Sequence, residues 1–360
     1  MRRIAYVINF IVKGGPSAVV LNMIHNLDRT RFEPVLITLF EGNSPEIIAR
    51  EKEAGLKVVE CGHKSRLQFL LHGLSEYRRI LEDNHIDIVH GHGFIPDVMN
   101  ARLSNGMKTI STLHNIMFED YAFNYGKVRG AVYCWIHLWA LRHLSRSVCC
   151  SRSVYDVMKY KLKNATFIRN GIEPVQAHSG ITRNELGLSK EAKVFLYAGV
   201  LSSGKNVRNL VGLFKKYHNG NEFLLILGKG EKLEECKQVA DDHIQFLGFQ
   251  TDMAAYMNIS DVYVSASKSE GFSISVLEAL SCGLGLFLSD IPSHHEVISM
   301  ADTCYIGEVF TETSFQSQLD KLRKNYYQLK KEAIKNWQKE NLSACYMTRQ
   351  YMNLYEKVME

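Results

Sequence analysis

The chain has 360 residues, too long for one ordinary domain and comfortable for two of roughly 150 to 180 residues each. Hydrophobic residues make up 46% and charged residues 22%, a balance that excludes a disordered protein, a collagen-like fibre and a coiled coil. The formal charge of +5 is uneven: residues 1–172 carry 23 Lys and Arg against 15 Asp and Glu, net +8, and the remainder 20 against 23, net −3.

In chain order, Arg3–Ile8 reads as a strand, followed by a loop with Gly14 and Gly15 and a helix with Val19, Val20, Met23, Ile24 and Leu27 on one face. Glu33–Phe40 reads as a strand, Pro45–Ala54 as a helix, Leu56–Cys61 as a strand and Phe69–Asn84 as a helix. The strand Ile86–His90 leads into a loop, Gly91–Phe94, and Met107–Leu113 and Val148–Ser151 are further strands. After the polar stretch Pro174–Lys193 the pattern restarts, with strands at Val194–Gly199, Phe223–Gly228, Ile244–Gly248, Asp261–Ser265 and Leu284–Ser289. Strands alternating with helices predict two doubly wound parallel sheets, Rossmann-like, covered on both faces. The expected domains are 1–172 and 173–335, with a helical tail at 336–360 that packs back on the first domain; residues 326–360 read as helical throughout. Such sheets bind ligands outside the carboxyl ends of their strands, and two of them facing each other make a cleft in which a ligand site is expected.

The longest apolar runs, such as Val194–Leu201, are strand-sized and far short of the roughly 20 residues that span a bilayer. No secretory signal is read at the start, where Asn9 and Lys13 break the apolar stretch. The eight cysteines form no C-x-x-C pair and no zinc spacing, so they read as reduced thiols of a cytoplasmic protein.

The sharpest local signal runs from Ser265 to Leu280: a strand end, a loop with Glu270 and Gly271, and a helix starting around Ser273. Amides at a helix N-terminus favour an anion, so Gly271, Phe272, Ser273 and Ile274 read as a diphosphate cradle. Glu278, about one and a half turns into the helix, is suited to ribose hydroxyls. The residues by themselves leave open that Glu270 and Glu278 are surface charges.

With Glu270 and Glu278 separated by seven intervening residues inside a strand–loop–helix, the sequence resembles the retaining nucleotide-sugar glycosyltransferases of the GT-B fold, family four, also called group 1. Gly283 with the following strand, Glu296-Val297-Ile298, the turn at Gly228, the strand Phe246–Gly248 and Asn170-Gly171 resemble that family's flanking stretches. The resemblance covers nearly the whole chain and is weakest across 40–85 and 300–360. It implies a GT-B fold and a hexosyltransferase acting with retention on a nucleotide-sugar, UDP- or GDP-linked. It implies a glycan or lipid-linked acceptor of bacterial surface polysaccharide synthesis, and no metal or other cofactor. Carried over, Gly14 and Gly15 would approach donor phosphates or acceptor, and His114 would contact the donor sugar. Lys205 would pair with the diphosphate, and Glu270 would hold sugar hydroxyls and offset positive charge. Two positions depart from the family: Val200 stands where an Arg is usual, leaving Arg208 or Lys229 as substitute cations, and Gly285 where Pro is common.

Other features are less specific. His90 and His92 lack a third metal ligand, which favours substrate contact or structural filling. The aromatic and basic segment Lys127–Arg146, supported by Lys64, Arg66, Arg78 and Arg79, reads either as core or as a peripheral contact with the inner membrane surface. No reading helix or basic-aromatic platform points to nucleic acid. Two other functions remain in view: an epimerase or hydrolase of the same fold, and a nucleotide-sugar-binding partner subunit with weak turnover.

Overall fold

The computed structural model describes residues 1–103 and 107–360. It divides the chain into two compact units, Met1–Ile172 with Ala344–Glu360, and Glu173–Ser343. The first carries a seven-stranded sheet: β1 (Arg2–Ile8), β2 (Phe32–Phe40), β3 (Lys57–His63), β4 (Ile88–His92), β5 (Lys108–Leu113), β6 (Arg146–Cys149) and β7 (Ala165–Phe167). Their order is β3-β2-β1-β4-β5-β6-β7, and every neighbouring pair is parallel. The second unit has six: β8 (Lys193–Ala198), β9 (Glu222–Leu227), β10 (Ile244–Gly248), β11 (Val262–Ser265), β12 (Gly285–Ser289) and β13 (Gly307–Phe310). Their order, β10-β9-β8-β11-β12-β13, is again parallel throughout.

Helices on both faces explain the continuous apolar runs. Ile4–Val7 and Val194–Leu196 are wholly buried, as strands covered on two sides must be. In the first unit Val7, Ile37 and Leu39 pack with Phe69, Tyr77 and Met99; in the second Phe195, Val264 and Phe287 pack with Phe214 and Phe315. In each sheet the strand order changes direction once, between β1 and β4 and between β8 and β11. The helices that follow the two strands then depart to opposite faces, which opens a crevice beyond their carboxyl ends.

Several sequence expectations are corrected. The helix expected over Phe69–Asn84 is two, Arg66–His72 and Leu74–Asp83, parted at Gly73. The segment read as a loop after His90 is the end of β4, which pairs with β1 as far as His92. The short strands β7 and β13, three and four residues long, were not expected; each lies at one end of its sheet. The tail is not one helix. A 3₁₀ turn, Tyr326–Gln328, precedes the helix Lys331–Leu342, which belongs to the second unit and buries Ile334 and Trp337. Ser343 takes an extended conformation, and the chain returns to the first unit at Ala344, not at 336. There the amide of Ala344 donates to Ile172 O, and the helix Ala344–Met359 buries Tyr351 and Tyr355.

Candidate active site

The second unit holds the two glutamates and the lysine. Lys205 follows β8 and Glu270 follows β11, so the two strands flanking the change of order bring together residues 65 positions apart. Lys205 Nζ lies 2.5 Å from Glu270 Oε1, and Ser267 Oγ donates to the same oxygen at 2.8 Å. Ser267 is fixed in turn by Ser289 Oγ, which donates to its carbonyl at 2.6 Å. Beside it, His294 Nδ1 lies 2.9 Å from Ser289 O, an acceptor, so Nδ1 carries the hydrogen. Burial pushes His294 down to about 4, the neutral ring, with the nearby Glu270 charge acting the other way. Its Nε2 is therefore a buried lone pair, without a partner among the described residues.

The helix Ile274–Ser281 begins directly after this loop, and Ser273 at its N-cap position provides no side-chain cap. Phe272 is buried beneath the turn. Glu278 is half-buried on that helix, and its charge and that of Glu270 both bear on the Tyr263 hydroxyl, which donates to Ala198 O. Arg208 stands on the helix Val207–Tyr217 with its ion pair at 3.9 Å to Glu235, and Lys229 lies over the Phe249 ring. Neither takes part in the Glu270 cluster's hydrogen bonds, and Val200 is exposed. Gly285 has a packing reason: a Cβ there would meet Leu329 Cδ1 at 2.6 Å.

The first unit has its own cavity of about 310 Å³, at the carboxyl ends of β1, β4 and β5. Gly14, Asn9, Phe10, His92, Phe94 and His114 are among its lining residues. Gly14 and Gly15 have φ of +95° and +50°, the left-handed region where glycine is favoured, and they start the helix Gly15–His25 beside the cavity. His114 Nε2 and His92 Nδ1 share a hydrogen bond of 3.0 Å. Burial pushes His114 down to about 4 and His92 well below its ordinary value, so both rings are neutral at pH 7. His90 is structural: Tyr355 OH and Thr112 Oγ1 each lie 2.8 Å from a ring nitrogen, tying the helix Ala344–Met359 to the sheet. Among the described residues, no group of three or more His, Cys, Asp or Glu is arranged to hold a metal ion.

Thus Lys205 and Glu270 meet in the second unit, with Gly271, Phe272, Ser273, Ile274 and Glu278 on the adjoining loop and helix. Gly14 and His114 line one cavity in the first. Sequence reasoning missed Ser267, Ser289 and His294. The one available cue was that Ser289 and His294 also flank a strand end.

A lysine, a carboxylate and a helix N-terminus on one doubly wound unit, and a histidine-lined cavity on the other, are the features of an α/β protein with two Rossmann-like units, each with a site at its strand ends. Two family models match: glycosyl transferases group 1 over residues 179–340 and glycosyltransferase family 4 over residues 13–176. The chain belongs to the group 1 glycosyltransferases of the GT-B fold. It is 24% identical to the O-antigen biosynthesis glycosyltransferase WclY of Escherichia coli, over 99% of this chain and 98% of that one. It is 25% identical to an E. coli UDP-Gal:alpha-D-GlcNAc-diphosphoundecaprenol alpha-1,3-galactosyltransferase, over 88% and 87%. Among solved structures, Anabaena HepE in complex with UDP-glucose superposes with a TM-score of 0.79 at 15% identity, covering 99% of this chain and all of that one.

Proposed function

We propose that the chain transfers a hexosyl group, with retention of configuration, from a nucleoside diphosphate sugar to a hydroxyl of a glycan or lipid-linked glycan in bacterial surface polysaccharide synthesis. The observation that carries this reading is the Lys205–Glu270–Ser267 cluster beside the N-terminus of Ile274–Ser281. Its parts match the charges that the reaction develops. The departing diphosphate gains negative charge, which suits Lys205 and the helix amides. The sugar gains positive charge, which suits Glu270, whose carboxylate also accepts hydrogen bonds from sugar hydroxyls. Glu278 takes the ribose. In the donor-free enzyme Lys205 and Glu270 neutralise each other, and an incoming diphosphate draws the ammonium away. The diphosphate's charge is met by protein groups, so the reading assigns no metal and no other cofactor.

UDP is the first donor base to test, because HepE of the same fold was solved with UDP-glucose. The lipid-linked acceptor rests on the named activity of the E. coli galactosyltransferase relative and on one surface. On the helix Lys127–Arg142, Val128, Val132, Trp135 and Trp139 are exposed and share a face at spacings of four, three and four. Lys127, Arg129 and Arg142 are exposed on the same helix, as a peripheral contact with an anionic membrane requires.

The test is nucleoside diphosphate release from a panel of UDP-, GDP-, ADP- and TDP-sugars, with and without a membrane lipid extract, beside Glu270→Ala. Release from one donor, raised by the extract and abolished in the variant, with the product's anomeric configuration unchanged by NMR, supports the proposal. Release unaffected by acceptor turns the reading to a hydrolase or epimerase, and binding without release turns it to a partner subunit.

A further inference from the structure

Beneath the cavity of the first unit lies a carboxylate–imidazole–phenol chain that the reading above does not use. Asp97, on the helix Phe94–Ala101, is 1% exposed. Its Oδ2 accepts from Ser111 Oγ at 2.7 Å and lies 2.9 Å from His137 Nε2. On the far side of that ring, Nδ1 lies 2.8 Å from the Tyr121 hydroxyl. Tyr121 and His137 both line the cavity, together with Phe10, Phe94, Met117 and Asp120. The three residues come from three helices, Phe94–Ala101, Met117–Tyr125 and Lys127–Arg142.

Chemistry sets the direction of each hydrogen bond. An ionised carboxylate only accepts, so His137 Nε2 donates to it, and in that tautomer Nδ1 presents its lone pair to the Tyr121 hydroxyl. Nδ1 takes the phenolic hydrogen, which leaves the Tyr121 oxygen with lone pairs and no hydrogen to offer. A hydroxyl held by an Asp–His pair in this order is the polarised end of the chain, as in hydrolase triads. Burial raises the Asp97 carboxyl above its ordinary value, and the His137 and Ser111 hydrogen bonds oppose that rise without cancelling it. A purely apolar packing role would need none of these atoms, because burying a carboxylate is costly.

We propose that the Tyr121 oxygen accepts a hydrogen bond from a hydroxyl of the acceptor and so holds it in the first unit's cavity, and that Asp97 and His137 are positioning residues that keep the phenol an acceptor. The group that enters is a hydroxyl-bearing ring with an apolar face, matching the Phe10, Phe94 and Met117 walls. The inference rests on the transferase reading above.

Tyr121→Phe keeps the ring and removes the oxygen. The experiment uses UDP-glucose with the membrane lipid extract, and the same donor with no acceptor as the hydrolysis baseline. The expected result is an extract-stimulated kcat lower by about tenfold, the factor one ordinary hydrogen bond supplies. UDP affinity stays unchanged, while Tm falls because His137 Nδ1 loses the hydroxyl 2.8 Å away, so both proteins are assayed below their melting temperatures and the hydrolysis baseline of each is subtracted. Asp97→Asn, which reverses the His137 tautomer, lowers the same kcat while UDP affinity is kept. A Tyr121→Phe enzyme with full stimulated kcat overturns the inference and leaves the transferase reading standing. A wild-type enzyme that hydrolyses UDP-glucose but is not stimulated overturns both.

Discussion

Replacing Lys205 by Ala separates catalysis from stability, because the two effects differ in size. The ammonium pairs with Glu270 at 2.5 Å, and the side chains are 35% and 12% exposed. A pair this open to solvent is worth about 0.2–1 kcal/mol, and Glu270 keeps the Ser267 hydroxyl as a donor when Lys205 is lost. The stability cost is therefore at most about 1 kcal/mol, a fall in Tm of about 2–4 °C for a unit of this size. The catalytic cost is larger. Removing one preorganised group that stabilises a developing anion costs about 2.7–4 kcal/mol, or a factor of 10²–10³ in kcat. Nucleoside diphosphate release measured below the Tm of both proteins, together with their melting curves, reads the two quantities separately. A Lys205→Ala enzyme that loses less than about threefold in kcat, or loses activity only in proportion to its unfolded fraction, refutes the assignment of Lys205 to the leaving group.

Val200→Arg restores the cation that the resembled family carries. The position is exposed, so stability changes by under about 0.5 kcal/mol, and release is expected to rise by up to about tenfold; an unchanged rate shows that Lys205 and the helix amides suffice. His90 and His114 are held down to about 3 and about 4, against about 6.5 in the unfolded chain. Below pH 6.5 the unfolded state therefore binds protons that the folded state refuses, and stability falls as pH drops toward 4, by about 1.4 kcal/mol per pH unit for each group. Urea unfolding at about pH 7 and about pH 5 checks the sign, and a chain that gains stability on acidification contradicts the buried neutral imidazoles. Trp135→Glu, at a site 72% exposed, leaves folding intact and weakens co-sedimentation with anionic vesicles; equal binding by both proteins rejects the membrane face.

The legible parts of the site were contiguous in the chain. A strand, a loop with Glu270 and Gly271 and a helix with Glu278 fall within twenty residues, and one motif holds them all. Gly14 and Gly15 were named from the family resemblance and their loop after the first strand, and the structure adds positive φ values that other residues avoid. The pairings that give these residues their surroundings are long-range. Lys205 meets Glu270 across 65 residues, His137 meets Asp97 across 40, and Tyr355 meets His90 across 265. No periodicity encodes such partners.

Local chemistry therefore determined the alternation of strand and helix, the two-unit division near residue 172 and the loop that carries Glu270 and Gly271, since each depends on apolar runs, turn residues and helix ends within a short window. The order of the strands decided the rest. It set which strand ends adjoin, which buried His found Tyr355, and which face of Lys127–Arg142 stayed open to solvent. A helix with apolar residues all round offers several faces to bury, and only packing against its neighbours chooses among them.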